Sequence, residues 1–153
     1  MTESSANVRR LLEDAQHANS AWMNGRGTDY ADLMSHTADF SIAGPFGGPA
    51  VHGWIDVIRL VQAQVAAQFK GGTTKVELVT SHESGDLIVL VMTERGEAKF
   101  DGYDTPQPWS LRVTQVYRRE GDGWKIVHRH ADPLVLMRSL DEVIALVSKH
   151  EKH

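Results

Sequence analysis

The apolar residues of this chain change period at Gly71-Gly72. Ahead of that pair they recur every three or four positions, and beyond it every second. Val8, Leu11, Leu12, Ala15, Ala18 and Trp22 draw one stripe. They predict a helix capped by Ser4 or Ser5 and ended by Gly25 and Gly27. Thr28 or Asp29 opens a short helix around residues 30–34, and residues 39–43 alternate like a strand. Trp54, Val57, Ile58, Val61, Val65 and Phe69 predict another long helix, which Gly71 and Gly72 terminate. After the switch, residues 75–82, 87–94, 109–119 and 124–132 read as strands, with turns at Ser84-Gly85-Asp86 and Gly121-Asp122-Gly123. A final helix covers about residues 139–149. Helices first and a strand meander second predict an α+β domain. Its helices would pack on one face of a curved antiparallel sheet and enclose a pocket between the layers.

The 153 residues suit one domain spanning 1–153. A formal net charge of -4 argues against a nucleic-acid partner, which calls for a basic stripe. With no cysteine there are no disulfides, no thiolate catalysis and no Cys-based zinc site, which fits a reducing compartment. The polar start MTESSANVRR lacks a signal-peptide core, and the longest apolar run, Leu87 to Met92, is too short to span a bilayer. The expectation is a cytoplasmic protein with no membrane partner.

Two stretches carry candidate chemistry. GPFGGPAVHG, residues 44–53, holds four glycines and two prolines and predicts a shaped loop outside any regular element. KIVHRHADP, residues 125–133, sets His128, His130 and Asp132 at alternate positions, on one face of a strand. Two hairpin registers are open. A three-residue loop, Gly121-Asp122-Gly123, sets Glu120 opposite Trp124 and groups Tyr117, Gln115 and Val113 with Val127, Arg129 and Ala131. Trp124 and Ile126 then share the face of the histidines. A two-residue loop, Gly121-Asp122, places His128 and His130 beside Gln115 and Tyr117 instead, because a one-residue slip exchanges the faces. The first grouping is smaller and more apolar, as a cavity wall should be.

The element order, and above all the hairpin TQVYRREGDGWKIVHRHADP of residues 114–133, resembles the SnoaL-like group of the nuclear-transport-factor-2-like superfamily. It is similar also to the calmodulin-dependent kinase association domain. The loop of residues 44–53 resembles the segment that leads to the pocket mouth. The resemblance implies a cone-shaped fold with a deep cavity, frequent dimers and no single reaction. Steroid isomerases, epoxide hydrolases, polyketide cyclases, dehydratases and non-catalytic members share it. The pocket positions of the resembling hairpins fall on Gln115, Arg129 and Ala131, which favours the first register. Where the steroid isomerases carry a catalytic carboxylate before a proline, this chain has Gly44 before Pro45, so that route is not expected. The kinase association domain has arginines where this chain has Gln115 and Ala131, so its anion pocket is at best partial here.

The expected ligand is a small apolar molecule with one carbonyl or carboxylate. Arg129 would clamp a carboxylate through its planar fork, or pair internally with Glu94. Gln115 and Tyr117 would hold and polarise the ligand, with Trp54, Phe46 and Tyr103 as apolar covers. His52, Asp39 and Tyr30 are the acid–base candidates, an imidazole being suited to proton transfer near neutrality. No metal and no cofactor is expected. The charged sheet face bearing Arg112, Arg118, His128, His130 and Asp132 is the expected surface of a homodimer. The alternative function is a non-catalytic binding or dimerisation module.

Overall fold

The computed structural model describes residues 5–149, apart from the side chains of Asp56, Val57 and Arg59. Helix α1, Ala6–Met23, starts where the Ser5 hydroxyl accepts from the Val8 amide at 3.1 Å. Ser4, the alternative cap, lies outside the described residues. The stripe Val8, Leu11, Ala15 and Ala18 is buried against the sheet. Helix α2, Thr28–Leu33, follows, and helix α3, Asp56–Ala66, buries Ile58 and Ala66.

Strands β1 (Ser41–Ala43), β2 (Val51–His52), β3 (Gly72–Ser84), β4 (Leu87–Ala98), β5 (Gln107–Pro108), β6 (Leu111–Glu120) and β7 (Gly123–Pro133) form one sheet. Their order is β2-β1-β7-β6-β4-β3, with β5 on β4. Two features depart from expectation. Val51 and His52, placed by sequence in an irregular loop, form a strand that pairs antiparallel with β1. Gly53, at φ 86°, ends that strand in the left-handed region that favours glycine. The sheet also contains one parallel pairing, β1 with β7, with Ile42 opposite Arg129. Between these two strands the chain passes through β2, α3 and the strands β3 to β6.

Inward residues alternate along the long strands. Ile88, Leu90, Met92 and Glu94 of β4 are buried, as are Leu111, Val113, Gln115 and Tyr117 of β6. With Phe40 and Ile126 they make the core under α1, each fully buried large apolar side chain contributing about 1.5–3 kcal/mol. At Gly72 and Gly96 the backbone of the facing strand leaves no room for a side chain. A Cβ on Gly96 would meet the Thr73 carbonyl at 2.1 Å.

The hairpin uses both expected registers, one at each end. Its loop has two residues, Gly121-Asp122, and Glu120 pairs with Gly123, not with Trp124. Further along, Val116 faces His128 while Tyr117 faces Ile126, so Val127 bulges out of the ladder. Beyond it Gln115 pairs with Arg129 and Val113 with Ala131. The bulge exchanges the faces of β7. Trp124 and Ile126, expected on the histidine face, point into the core before it, and Arg129 and Ala131 face inward after it.

Strand β7 runs out into helix α4, Leu140–Val147. Ser139 and Glu142 cap it reciprocally, at 3.2 and 3.0 Å. Every residue of α4 is exposed. Among the described residues, no helix is long and apolar enough to cross a membrane.

Candidate functional site

Helices α1, α2 and α3 stand off the concave face of the sheet and leave a cavity of about 680 Å³. Trp22, Met34, Ile42, Ile58, Val65 and Leu111 give it apolar walls. The loop of residues 44–50 forms its mouth. Gly47 and Gly48 hold φ of 90° and 78°, and the loop carries Phe46, 67% exposed, to the rim. His52 of β2 lines the cavity near this loop.

Four polar residues from four elements meet in the wall: Asn19 of α1, Tyr30 of α2, Glu94 of β4 and Arg129 of β7. Arg129 clamps Glu94 with two parallel bonds, Nη1 to Oε2 at 2.9 Å and Nη2 to Oε1 at 3.0 Å. The side chains are 11% and 5% exposed. The Tyr30 hydroxyl donates to Asn19 Oδ1 at 2.8 Å and accepts from Arg129 Nη1 at 3.3 Å. The guanidinium carbon lies 5.0 Å from the Tyr30 ring centre, within cation–π range.

Burial would drive Glu94 toward its neutral form. The facing charge and hydrogen bonds of Arg129 outweigh that, and its pKa is lowered. The Asn19 amide also helps hold Glu94 ionised, although its Nδ2 makes no hydrogen bond of good geometry. Burial likewise works against the Arg129 charge, and Glu94 more than restores it, so its pKa is raised. Burial pushes Tyr30 well above the ordinary phenol range, which keeps its proton in place. The cluster is a closed, net-neutral unit of a carboxylate, a guanidinium and a phenol. The carboxylate that Arg129 holds is the protein's own, the internal partner that the sequence offered as one of two.

The other expected residues divide. Gln115 and Tyr117 are fully buried behind the wall and do not line the cavity. The Tyr117 hydroxyl donates to Gln115 Oε1 at 3.1 Å, and burial raises its pKa. Asp39 lies outside the cavity, exposed, held by Arg118 at 2.5 and 3.1 Å and by the Thr37 hydroxyl at 2.6 Å. The Arg118 bonds lower its pKa. Trp54 stacks on His36, ring centres 4.1 Å apart, and does not reach the lining. Tyr103 belongs to a second, shallower depression that shares Phe46, Phe69 and Trp109 with the cavity. On the outer sheet face, Ser41 Oγ and His128 Nδ1 are 2.7 Å apart, and Arg112 holds Asp132 at 2.8 and 2.9 Å.

Two polar lining residues escaped the sequence reading, Asn19 and Gln62. Gln62 of α3 is 8% exposed. Its Nε2 donates to the Met34 sulfur at 3.2 Å, and its Oε1 has no hydrogen-bond partner among the described residues. Both interrupt apolar stripes: Asn19 stands between Ala15 and Trp22, Gln62 between Ile58 and Val65. A polar residue in phase with a buried stripe is the signal that marks them.

Comparison with known proteins places this geometry. Residues 14–135 match the model of the SnoaL-like domain. No curated protein matches the chain. Among solved structures, a nuclear transport factor 2-like superfamily protein from Salmonella enterica serovar Typhimurium is 18% identical with a TM-score of 0.70, covering 87% of this chain and 94% of that one. A candidate dehydratase of the NTF2-like family from Streptomyces avermitilis is 23% identical with a TM-score of 0.70, covering 86% and 97%. The S. rosetta CaMKII hub is 16% identical with a TM-score of 0.65, covering 86% and 99%. At these identities the likeness is one of fold.

Proposed function

This chain belongs to the SnoaL-like domain family, and from that premise we propose that its cavity takes up a small, largely apolar molecule bearing one polar group and transforms it by acid–base chemistry without a cofactor. The observation that carries the reading is a buried polar cluster set in the wall of an otherwise apolar void of about 680 Å³. Apolar walls supply the affinity and a few fixed polar groups the orientation. Glu94 and Tyr30 are held in one protonation state each, so they orient and polarise. The proton is left to His52, the imidazole in the lining. His52 is exposed where the cavity meets solvent, and isomerisation, cyclisation, dehydration and hydrolysis all fit a base placed at the edge of an apolar cavity.

A second reading, a non-catalytic binding module, draws support from one feature: Arg129 is satisfied within the chain. Pairing of two copies through the outer sheet face belongs to both readings. The ion-paired surface of Arg112, Asp132, Arg118 and Asp39 supports it, and related folds include hub domains.

Native mass spectrometry of the purified full chain tests this. The expected species is two chains with a bound small organic molecule. Incubated with that molecule, wild type should convert it and His52→Gln should not. Binding without conversion by either protein selects the second reading. A monomer that takes up no apolar compound sinks both.

A further inference from the structure

Resting on the reading of the cavity as a ligand site, we infer that Gln62 sets its specificity: its Oε1 selects a ligand whose polar end is an uncharged hydroxyl on an apolar skeleton. The inference starts from an unmatched acceptor. Gln62 Oε1 is buried without a partner, whereas buried carbonyls are paired in the great majority of cases. The amide orientation is fixed by Met34. A thioether sulfur has no proton to give, so it faces Nε2, and the oxygen is the end left over. Gln62 is itself in the lining, so a small shift of its side chain presents Oε1 to the void while Nε2 stays on the sulfur.

The neighbouring groups narrow the partner. An anionic ligand would need Arg129, but both guanidinium arms hold Glu94. It would also set a second negative charge beside Glu94, with no cation to match it. A cationic ligand would lose its hydration in apolar walls and face Arg129. An uncharged ligand remains. Of the side-chain acceptors buried in the wall, Asn19 Oδ1 is taken by Tyr30 and the Glu94 oxygens by Arg129, whereas Gln62 Oε1 has no partner among the described residues. It asks for a donor. A bare ketone would leave Oε1 unsatisfied, whereas a hydroxyl supplies the missing proton. Sites that hydrogen-bond a ligand hydroxyl reject the analogue without it far more strongly than apolar pockets reject a change in size.

Three probes on one compact skeleton test this: 1-adamantanol, 2-adamantanone and 1-adamantanecarboxylate, titrated into the full chain by calorimetry. Wild type should bind the alcohol about tenfold or more tightly than the ketone, with the carboxylate weakest. Gln62→Leu should keep the ketone affinity within about twofold and lose the preference for the alcohol. The melting temperature of Gln62→Leu supplies a readout without ligand. Removal of an unmatched buried acceptor should leave it equal to or above that of wild type. Equal affinity of wild type for alcohol and ketone, a preference that survives in Gln62→Leu, or a fall in the variant's melting temperature would each overturn the role of Gln62 while leaving the cavity reading standing. Failure of all three probes to bind wild type would overturn both.

Discussion

At the scale of single residues, the Glu94–Arg129 pair governs both stability and the character of the site. Both side chains are nearly inaccessible, so loss of one partner strands the other charge in a low-dielectric interior. Glu94→Ala should therefore cost about 3–5 kcal/mol in chemical denaturation, and Arg129→Met a similar amount. The double variant Glu94→Leu/Arg129→Met should cost clearly less than the sum, because neither charge is left alone. The pH dependence follows from the depressed pKa of Glu94. Its contribution is fully present above the unfolded value, near 4.5, and is lost as pH falls through the lower folded value. Denaturant midpoints of wild type should thus fall below about pH 4.5, and Glu94→Leu/Arg129→Met should show a shallower fall. Much of this cluster is legible in the sequence. Glu94 keeps the alternation of Ile88, Leu90 and Met92, and Arg129 answers it from the other side of the hairpin. What spacing does not give is that the two meet: they lie on strands separated by β6, and their contact depends on how far each long side chain reaches across it.

At the scale of elements, the informative departure is the bulge at Val127. The alternation of β7 argues for either of two registers, and each is right along part of its length. A pattern of period two cannot reveal an extra residue, because each half of the strand is regular by itself. The clue available beforehand was a conflict. Trp124 and Ile126 ask to be buried, and so do Arg129 and Ala131 on the opposite parity, a combination that a strand without a bulge cannot satisfy. The helices, by contrast, were legible to within about a turn, since their stripes are long, although α3 stops at Ala66, short of the Gly71-Gly72 pair expected to end it. Strand β2 and the parallel pairing of β1 escaped because both depend on contacts distant in sequence. The bulge gives a sharp prediction. Deletion of Val127 would remove the extra residue and leave one unbroken register, with Ile126 still on Tyr117, His128 on Val116 and Arg129 on Gln115, so the faces of β7 are kept. The variant should keep a cooperative thermal transition and the dispersed amide spectrum of a folded sheet. Loss of both would show that the bend made by the bulge, and not the residue count alone, is needed to close the sheet.

For the whole molecule, the question is where the folded unit ends. The family match stops at residue 135, next to the bond that joins the Leu134 amide to the Ser110 carbonyl at 2.9 Å. Beyond it Leu136 and Met137 are 92% and 98% exposed, and α4 buries none of its residues. An eight-residue helix has little stability of its own in water, whatever its caps contribute, because nucleation is costly and few bonds follow it. Its large apolar residues stay 42% to 74% exposed, so the hydrophobic gain that holds α1 against the sheet is much smaller for α4. The cavity, its polar cluster and its mouth all lie between Asn19 and Arg129. A chain cut after Leu134 should therefore melt within about 2 °C of the full protein, a change that corresponds to about 0.5–1 kcal/mol in a domain of this length. Its affinity for an apolar probe should be unchanged as well. A drop of many degrees, with the loss of probe binding alongside it, would mean that the exposed stripe of α4 covers something in solution, and that the folded unit extends to the end of that helix.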